Sequence, residues 1–227
     1  EYIARMDADD ISFKNRIESQ LNYIRETGYD FVGCQYRTFE GDEDISESNV
    51  PNSAEACSKV VRYKSCVAHP SWLVKKQVFE VLDGYRNIDA CEDLDFLQRA
   101  LINGFKIGNV PQVLLRYRNN QNSISHKKEY RQQAIRRCMV KSLYHNKIVS
   151  EEEYQKYISS QQYDSDVKKL EKISQKEYLF KHCEKKGKKI IALLSLLKEP
   201  IFIEEKIWNR IINRAIKSDK ERDKWKV

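Results

Sequence analysis

The 227-residue chain lacks the cysteine spacing that metal or disulfide chemistry needs. Its six cysteines, Cys34, Cys57, Cys66, Cys91, Cys138 and Cys183, form no CxxC pair and follow no regular interval. They read as reduced thiols, neither a disulfide frame nor a zinc site. Also missing is an apolar run that could cross a bilayer. The longest candidate, Ile190 to Leu197, falls well short of the about 20 residues required and reads as a buried helix. No repeat or low-complexity tract stands out, and the start, Glu1-Tyr2-Ile3, has neither the basic region nor the apolar core of a targeting peptide. Glycine and proline are scarce, at seven and four, and unevenly placed, with only Gly187 and Pro200 beyond residue 112.

Charge is uneven in the same way. Residues 1–126 hold 15 Lys or Arg against 19 Asp or Glu, a net −4, whereas residues 127–227 hold 26 against 15, a net +11. The two shifts together place a domain boundary near residue 126. Hydrophobic residues at 41% suffice for a core, and charged residues at 33% are abundant. A sequence pI near 9.0 raises the question of nucleic acid, but the basic residues are interleaved with Glu151, Glu152, Glu153 and Asp166, and no aromatic-basic RNA motif appears. A nucleic-acid-binding module is therefore an alternative reading only, and no nucleic-acid partner is expected.

What is present is acidic and local. Tyr2 to Met6 reads as the end of a strand, and Asp7-Ala8-Asp9-Asp10 follows directly. Like charges so close repel one another, and a hard divalent cation relieves that repulsion while keeping positions open for phosphate. The alternative is a helix cap, because Ile17, Leu21 and Ile24 recur at helical spacing just downstream. The order strand, acidic turn, helix puts the acids beyond a strand's carboxyl end, where ligands sit in open α/β sheets. A second acidic turn, Glu92-Asp93-Leu94-Asp95, opens a helix whose Leu94, Leu97 and Leu101 point one way.

Four segments in order carry a resemblance to the family 2 glycosyltransferases of the GT-A fold. They are Met6-Asp7-Ala8-Asp9-Asp10 with its helix, similar to the DxD segment; Ala68-His69-Pro70-Ser71-Trp72; Glu92-Asp93-Leu94-Asp95, similar to the ED motif; and the strand Leu114 to Arg118 with the loop 119–125. The resemblance covers residues 1–126. It implies an α/β, Rossmann-like mixed sheet of GT-A type that lacks its N-terminal nucleotide-binding part, followed by a basic α-helical region over 127–227. On this reading an upstream portion of about 80 to 100 residues, roughly domain scale, is absent and the chain alone is inactive.

The resemblance further implies inverting transfer of a sugar from a nucleotide-diphospho-sugar, UDP-linked by family frequency, to a saccharide or lipid-linked acceptor in cell-surface polysaccharide or glycan biosynthesis. It implies Mg²⁺ or Mn²⁺ on Asp9 with Asp7 beside it, Asp93 as general base, and Glu92, Asp95, Arg99, His69 and Arg118 as substrate contacts. Trp72 reads more readily as core than as a sugar platform, and His126 stands at the edge of the closing loop. No Gln-x-x-Arg-Trp segment follows the ED-like turn, which argues for transfer of single sugars. A metal-dependent phosphohydrolase is the competing enzyme reading.

The reading predicts strands near 2–6, 30–39, 71–75 and 112–118, and helices near 13–27, 53–64, 76–82 and 92–103, stopped at Gly28, Gly84 and Gly104. Four or five helices follow residue 126. Over 201–217, Ile207, Trp208, Ile211, Ile212, Ala215 and Ile216 share an apolar face flanked by Lys206, Arg210, Arg214 and Lys217. That composition fits either peripheral membrane contact or packing on the first domain. The expected location is cytoplasmic, at the membrane's inner face in the former case.

Overall fold

The computed structural model describes residues 1–120, 129–145 and 147–223. In chain order the elements are β1 (Tyr2–Ala4), β2 (Ile11–Ser12), α1 (Arg16–Thr27), β3 (Phe31–Glu40), β4 (Glu43–Glu47), α2 (Ala54–Val60), β5 (Leu73–Lys75), α3 (Lys76–Leu82), α4 (Glu92–Ile102) and β6 (Ile107–Arg118), then the helices α5 (Glu129–Tyr144), α6 (Glu151–Ile158), α7 (Gln161–His182), α8 (Lys186–Leu197) and α9 (Pro200–Asp223). The mixed α/β class expected from the patterning is what forms. The sheet order is β1-β5-β3-β6-β2, with β4 on the far half of β3. Among the described residues only β3 and β6 run parallel; the other pairs are antiparallel.

Local chemistry explains most element ends. Gly28, at φ 69°, ends α1 and donates its N–H to Ile24 O. Such a left-handed cap is nearly free for glycine. The chain leaves α3 through two consecutive left-handed residues, Asp83 and Gly84. Strand β6 begins earlier than its apolar run suggests, at Ile107, because Pro111 sits inside it at an irregularity where the register moves from Cys34↔Val110 to Gln35↔Val113. A proline has no N–H for the ladder, so pairing skips it. Strands β2 and β4 have no counterpart in the expected elements. The first is two residues long and the second entirely exposed, so neither carries an alternating pattern.

Helix α4 corrects a second expectation. It is not apolar on one face only: residues 94–100 are buried all round, Asp95, Gln98 and Arg99 included. Both sides are covered, by α3 on one hand and α5 on the other. The main core surrounds it. Phe31, Trp72 and Phe96 meet in tilted ring pairs at centroid distances of 4.6 to 6.3 Å, worth about 0.5–1.5 kcal/mol each beyond area burial. The same cluster takes Ile135 and Met139 from α5, Tyr154 from α6, and Ile212 and Ile216 from α9. Among the described residues no helix is long and apolar enough to cross a membrane.

Candidate functional site

The acidic turn is held from below by the helix that follows it. On α1, Arg16 and Gln20 lie one turn apart and both point inward. Arg16 donates to the carbonyls of Arg5 (3.3 Å) and Pro70 (2.7 Å), and Gln20 donates to Ser71 O (2.7 Å). Two side chains thus tie the end of β1 to the 3₁₀ turn His69–Ser71, helped by Arg5 N–H donating to Trp72 O at 2.9 Å. Gly33 on β3 makes room for this: a Cβ there would stand 2.2 Å from Val67 Cγ1 and 2.7 Å from Ser71 Oγ.

Above these ties opens a cavity of about 430 Å³. Asp7, Asp9 and Asp10 line one wall and Glu92 and Asp93 another, with His69 between and Arg5 and Arg118 as the lining cations. The two acidic turns, distant in sequence, therefore share one space. Asp10 is 8% exposed; its Oδ1 accepts from the Arg118 N–H at 2.8 Å. Its Oδ2 is buried without a partner among the described residues. Burial, then the Asp7 and Asp9 charges, raise its pKa to about 6 against the pull of that hydrogen bond. Arg118 also donates Nε to Asp9 O at 2.8 Å, bracing the turn, while Arg5 pairs with Asp7 at 2.7 Å.

On the opposite wall Asp93 Oδ2 accepts from Ser65 Oγ at 2.9 Å. Burial raises the pKa of Glu92. His69 has its Nε2 2.9 Å from Tyr85 Oη and its ring 4.5 Å from that of Trp72. Burial, then the Arg5 charge, lowers its pKa to about 4, so the imidazole is neutral at pH 7. Just before α4, Ala90 takes φ 60°, a left-handed conformation costing roughly 1–2 kcal/mol without glycine.

Asp7, Asp9, His69, Glu92, Asp93 and Arg118 all face the cavity. Asp95 and Arg99 do not. Asp95, 1% exposed, pairs with Arg86 and with Arg99 (2.7 Å), and Arg99 donates further to Leu82 O and Gly84 O. These two residues hold α4 to the chain after α3, and they are spent on that network. Trp72 is fully buried in the core. His126 and the loop residues 121–125 lie outside the described residues. Several wall residues escaped the sequence reading: Arg5, Ser65, the Tyr36–Tyr117 pair with rings 5.7 Å apart, and Gln132 of α5. Arg5 alone carried a signal, two residues before Asp7, on the face an alternating strand would share with it.

The donor set suits a hard divalent cation. Carboxylate oxygens line the wall and one of them is buried without a partner, while no three His, Cys, Asp or Glu side chains among the described residues converge as a ready cage. Mg²⁺ in particular takes one or two carboxylates and fills its shell with substrate phosphate and water.

The chain is similar to known proteins over its first half. Residues 1–80 match the family model described as Glycosyl transferase family 2. The chain is 35% identical over 124 residues to the O-antigen biosynthesis glycosyltransferase WbnJ of Escherichia coli, covering 53% of this chain and 48% of WbnJ. It is 28% identical to the bifunctional glycosyltransferase pgtA of Dictyostelium discoideum, over 56% of this chain and 21% of that protein. It thus spans about half the length of WbnJ and about a fifth of pgtA. Among solved structures, the mannosyltransferase PcManGT from Pyrobaculum calidifontis, in complex with GDP-Man and Mn²⁺, is similar at TM-score 0.48 and 10% identity, over 96% of this chain and 62% of that one. The match to glycosyl transferase family 2 thus falls on residues 1–80, which bear the acidic turn and the His69 segment.

Proposed function

We propose that this chain forms the metal and acceptor side of an inverting glycosyltransferase. Its donor is a nucleotide-diphospho-sugar, UDP-linked, and its acceptor a hydroxyl of a saccharide or lipid-linked glycan in cell-surface polysaccharide biosynthesis. One observation carries the reading: Asp7, Asp9 and Asp10 share a single cavity with Glu92 and Asp93. Cation-binding oxygens and a candidate base stand on facing walls, as transfer between a diphosphate and a hydroxyl requires.

Asp9, with Asp7 beside it, would hold Mg²⁺ or Mn²⁺, which supplies Lewis-acid stabilisation of charge on a departing diphosphate. Asp93 takes the acceptor proton. Among the described residues Ser65 donates to its Oδ2, and Oδ1 accepts that proton as the hydroxyl oxygen attacks the anomeric carbon from the face opposite the diphosphate, inverting its configuration. His69, neutral at pH 7, orients by hydrogen bonding, without adding charge to the cavity. Arg5 balances the acids and pairs with Asp7.

The apolar face expected over 201–217 splits in two. Trp208, Ile212 and Ile216 turn inward, Trp208 between Tyr63 and the Arg136 and Arg137 guanidiniums. Ile203, Ile207 and Ile211 stay exposed, as do Ile190, Ile191 and Leu194 of α8. Lys206, Arg210 and Arg214 flank the α9 stripe. This outward surface supports peripheral contact with an anionic membrane near a lipid-linked acceptor.

The test is calorimetric titration of UDP, with and without Mn²⁺, into the full-length protein and its Asp9→Asn variant. Metal-dependent binding that disappears in the variant is the expected result. Binding indifferent to both metal and Asp9 would reduce the turn to a helix cap.

A further inference from the structure

Between α3 and α4 runs an irregular segment, residues 83–91, that delivers the chain directly into Glu92 and Asp93. It has little to hold it from within: two internal backbone bonds, Ile88 N–H to Arg86 O at 2.8 Å and Cys91 N–H to Ile88 O at 3.2 Å. It ends on Ala90 in the left-handed region, a conformation that persists only where neighbours enforce it. Its start is tied to α4 by Arg99, which donates to Gly84 O, and by Asp95, which pairs with Arg86, and its later residues are met by helices of the C-terminal half. Glu151 Oε1 of α6 accepts from the Asn87 N–H at 3.1 Å, and Tyr154 Oη of α6 accepts from the Asp89 N–H at 3.0 Å. Gln132 of α5 donates Nε2 to Ala90 O at 2.5 Å, and its own carbonyl accepts from Cys91 Sγ at 3.6 Å. Tyr154 is 3% exposed and seated in the main core, so its hydroxyl is a fixed point. Gln132 also lines the acidic cavity.

We propose that α5 and α6 clamp this segment and thereby aim Asp93, with Tyr154 and Gln132 as positioning residues. The inference rests on the reading of Asp93 as the base. Asp93 is then set from two directions: Ser65 holds its carboxylate, and the clamp holds the backbone that leads to it. The segment also walls a second cavity of about 480 Å³ that shares Arg5, His69, Ala90 and Glu92 with the first. A loosened segment would therefore disturb the acceptor side and leave the Asp7–Asp9 side in place.

The experiment uses the full-length protein as wild type, Tyr154→Phe, Gln132→Leu and the double variant. Tyr154→Phe keeps the ring in the core and removes only the acceptor oxygen, so folding is spared. Hydrogen exchange followed by mass spectrometry should show residues 85–93 exchanging about tenfold faster in the double variant, the sum of two modest hydrogen bonds, with α7 and α9 unchanged. Sugar transfer should show kcat lowered about tenfold, with donor KM and Mn²⁺-dependent UDP affinity unchanged. Unaltered exchange in 85–93 would overturn the clamp. Faster exchange at full kcat would overturn its role in aiming Asp93. A wild-type protein that binds UDP and metal yet transfers no sugar would strike the reading of Asp93 as base, while the exchange data would still decide the clamp.

Discussion

The sheet region, residues 1–120, and the helical region, residues 129–223, use polar groups differently. In the first, buried polar side chains join segments far apart in sequence. Arg16 and Gln20 reach the 70–71 turn, and Asn109 donates to both Pro51 O and Cys66 O. In the second, many polar bonds are local, such as the capping box of Ser150 with Glu153, and apolar residues including Ile191 and Leu194 remain exposed. The helical region meets the sheet region's backbone at a few side chains: Gln132, Arg136, Glu151, Tyr154 and Asp219. The two regions, of opposite net charge, thus share the main apolar core and are tied by these few polar side chains, while the acids of the candidate site all lie in the first.

The sharpest way to test that division is at the proposed base. Asp93→Asn should lower transfer by about 10² to 10⁴, with UDP and Mn²⁺ affinity preserved. A variant that transfers at the wild-type rate would move the base elsewhere, with Glu92 the next candidate.

Next in size is a joint between the regions. Asp219, 2% exposed, accepts from the N–H groups of Asn52 (2.6 Å) and Ser53 (3.2 Å) and from the Ser53 hydroxyl, so an α9 carboxylate caps α2. Asp219→Ala leaves buried donors unpaired and should cost about 1–3 kcal/mol in urea unfolding, against little change for Lys217→Ala on the exposed side. Equal, small effects would mean that the regions are coupled by apolar packing alone.

The smallest effect is a pH dependence. His69 has a folded pKa of about 4, below its ordinary 6.5, so the unfolded chain binds its proton more readily in that window. Its contribution is present above pH 6.5 and is lost as pH falls toward 4. Asp10, raised to about 6 by burial, has the opposite sign: its ionisation opposes folding, and stability falls as pH rises from 3.8 through 6. Denaturation of wild type and His69→Gln at pH 7, 5.5 and 4.5 separates the two. The variant should lose less stability than wild type on acidification; parallel curves would show that His69 does not titrate as its burial requires.

Much of the site was legible because its signals are local. Strand, acidic turn and helix within the first 27 residues follow from hydrophobic periodicity and a glycine stop, and α4 from its acidic first turn. Side-chain direction on α4 was not legible. Asp93 and Asp95 look equivalent in sequence, yet Asp93 faces the cavity and Asp95 is sealed between two arginines. Nor did the pattern of α9 show that Trp208 and Ile207, adjacent in sequence, face opposite ways.

By itself the sequence determined where helices and strands of strong period would form, where acids would cluster at their ends, and that two regions of opposite charge would follow each other. Those features depend on neighbours within a turn or two. Which acids share a cavity, which arginines are consumed in holding α4, and that helices beyond residue 128 reach back to the segment before Asp93 were decided only by tertiary structure. Each depends on chain closure over tens of residues, where many local arrangements are equally good and only mutual packing selects one.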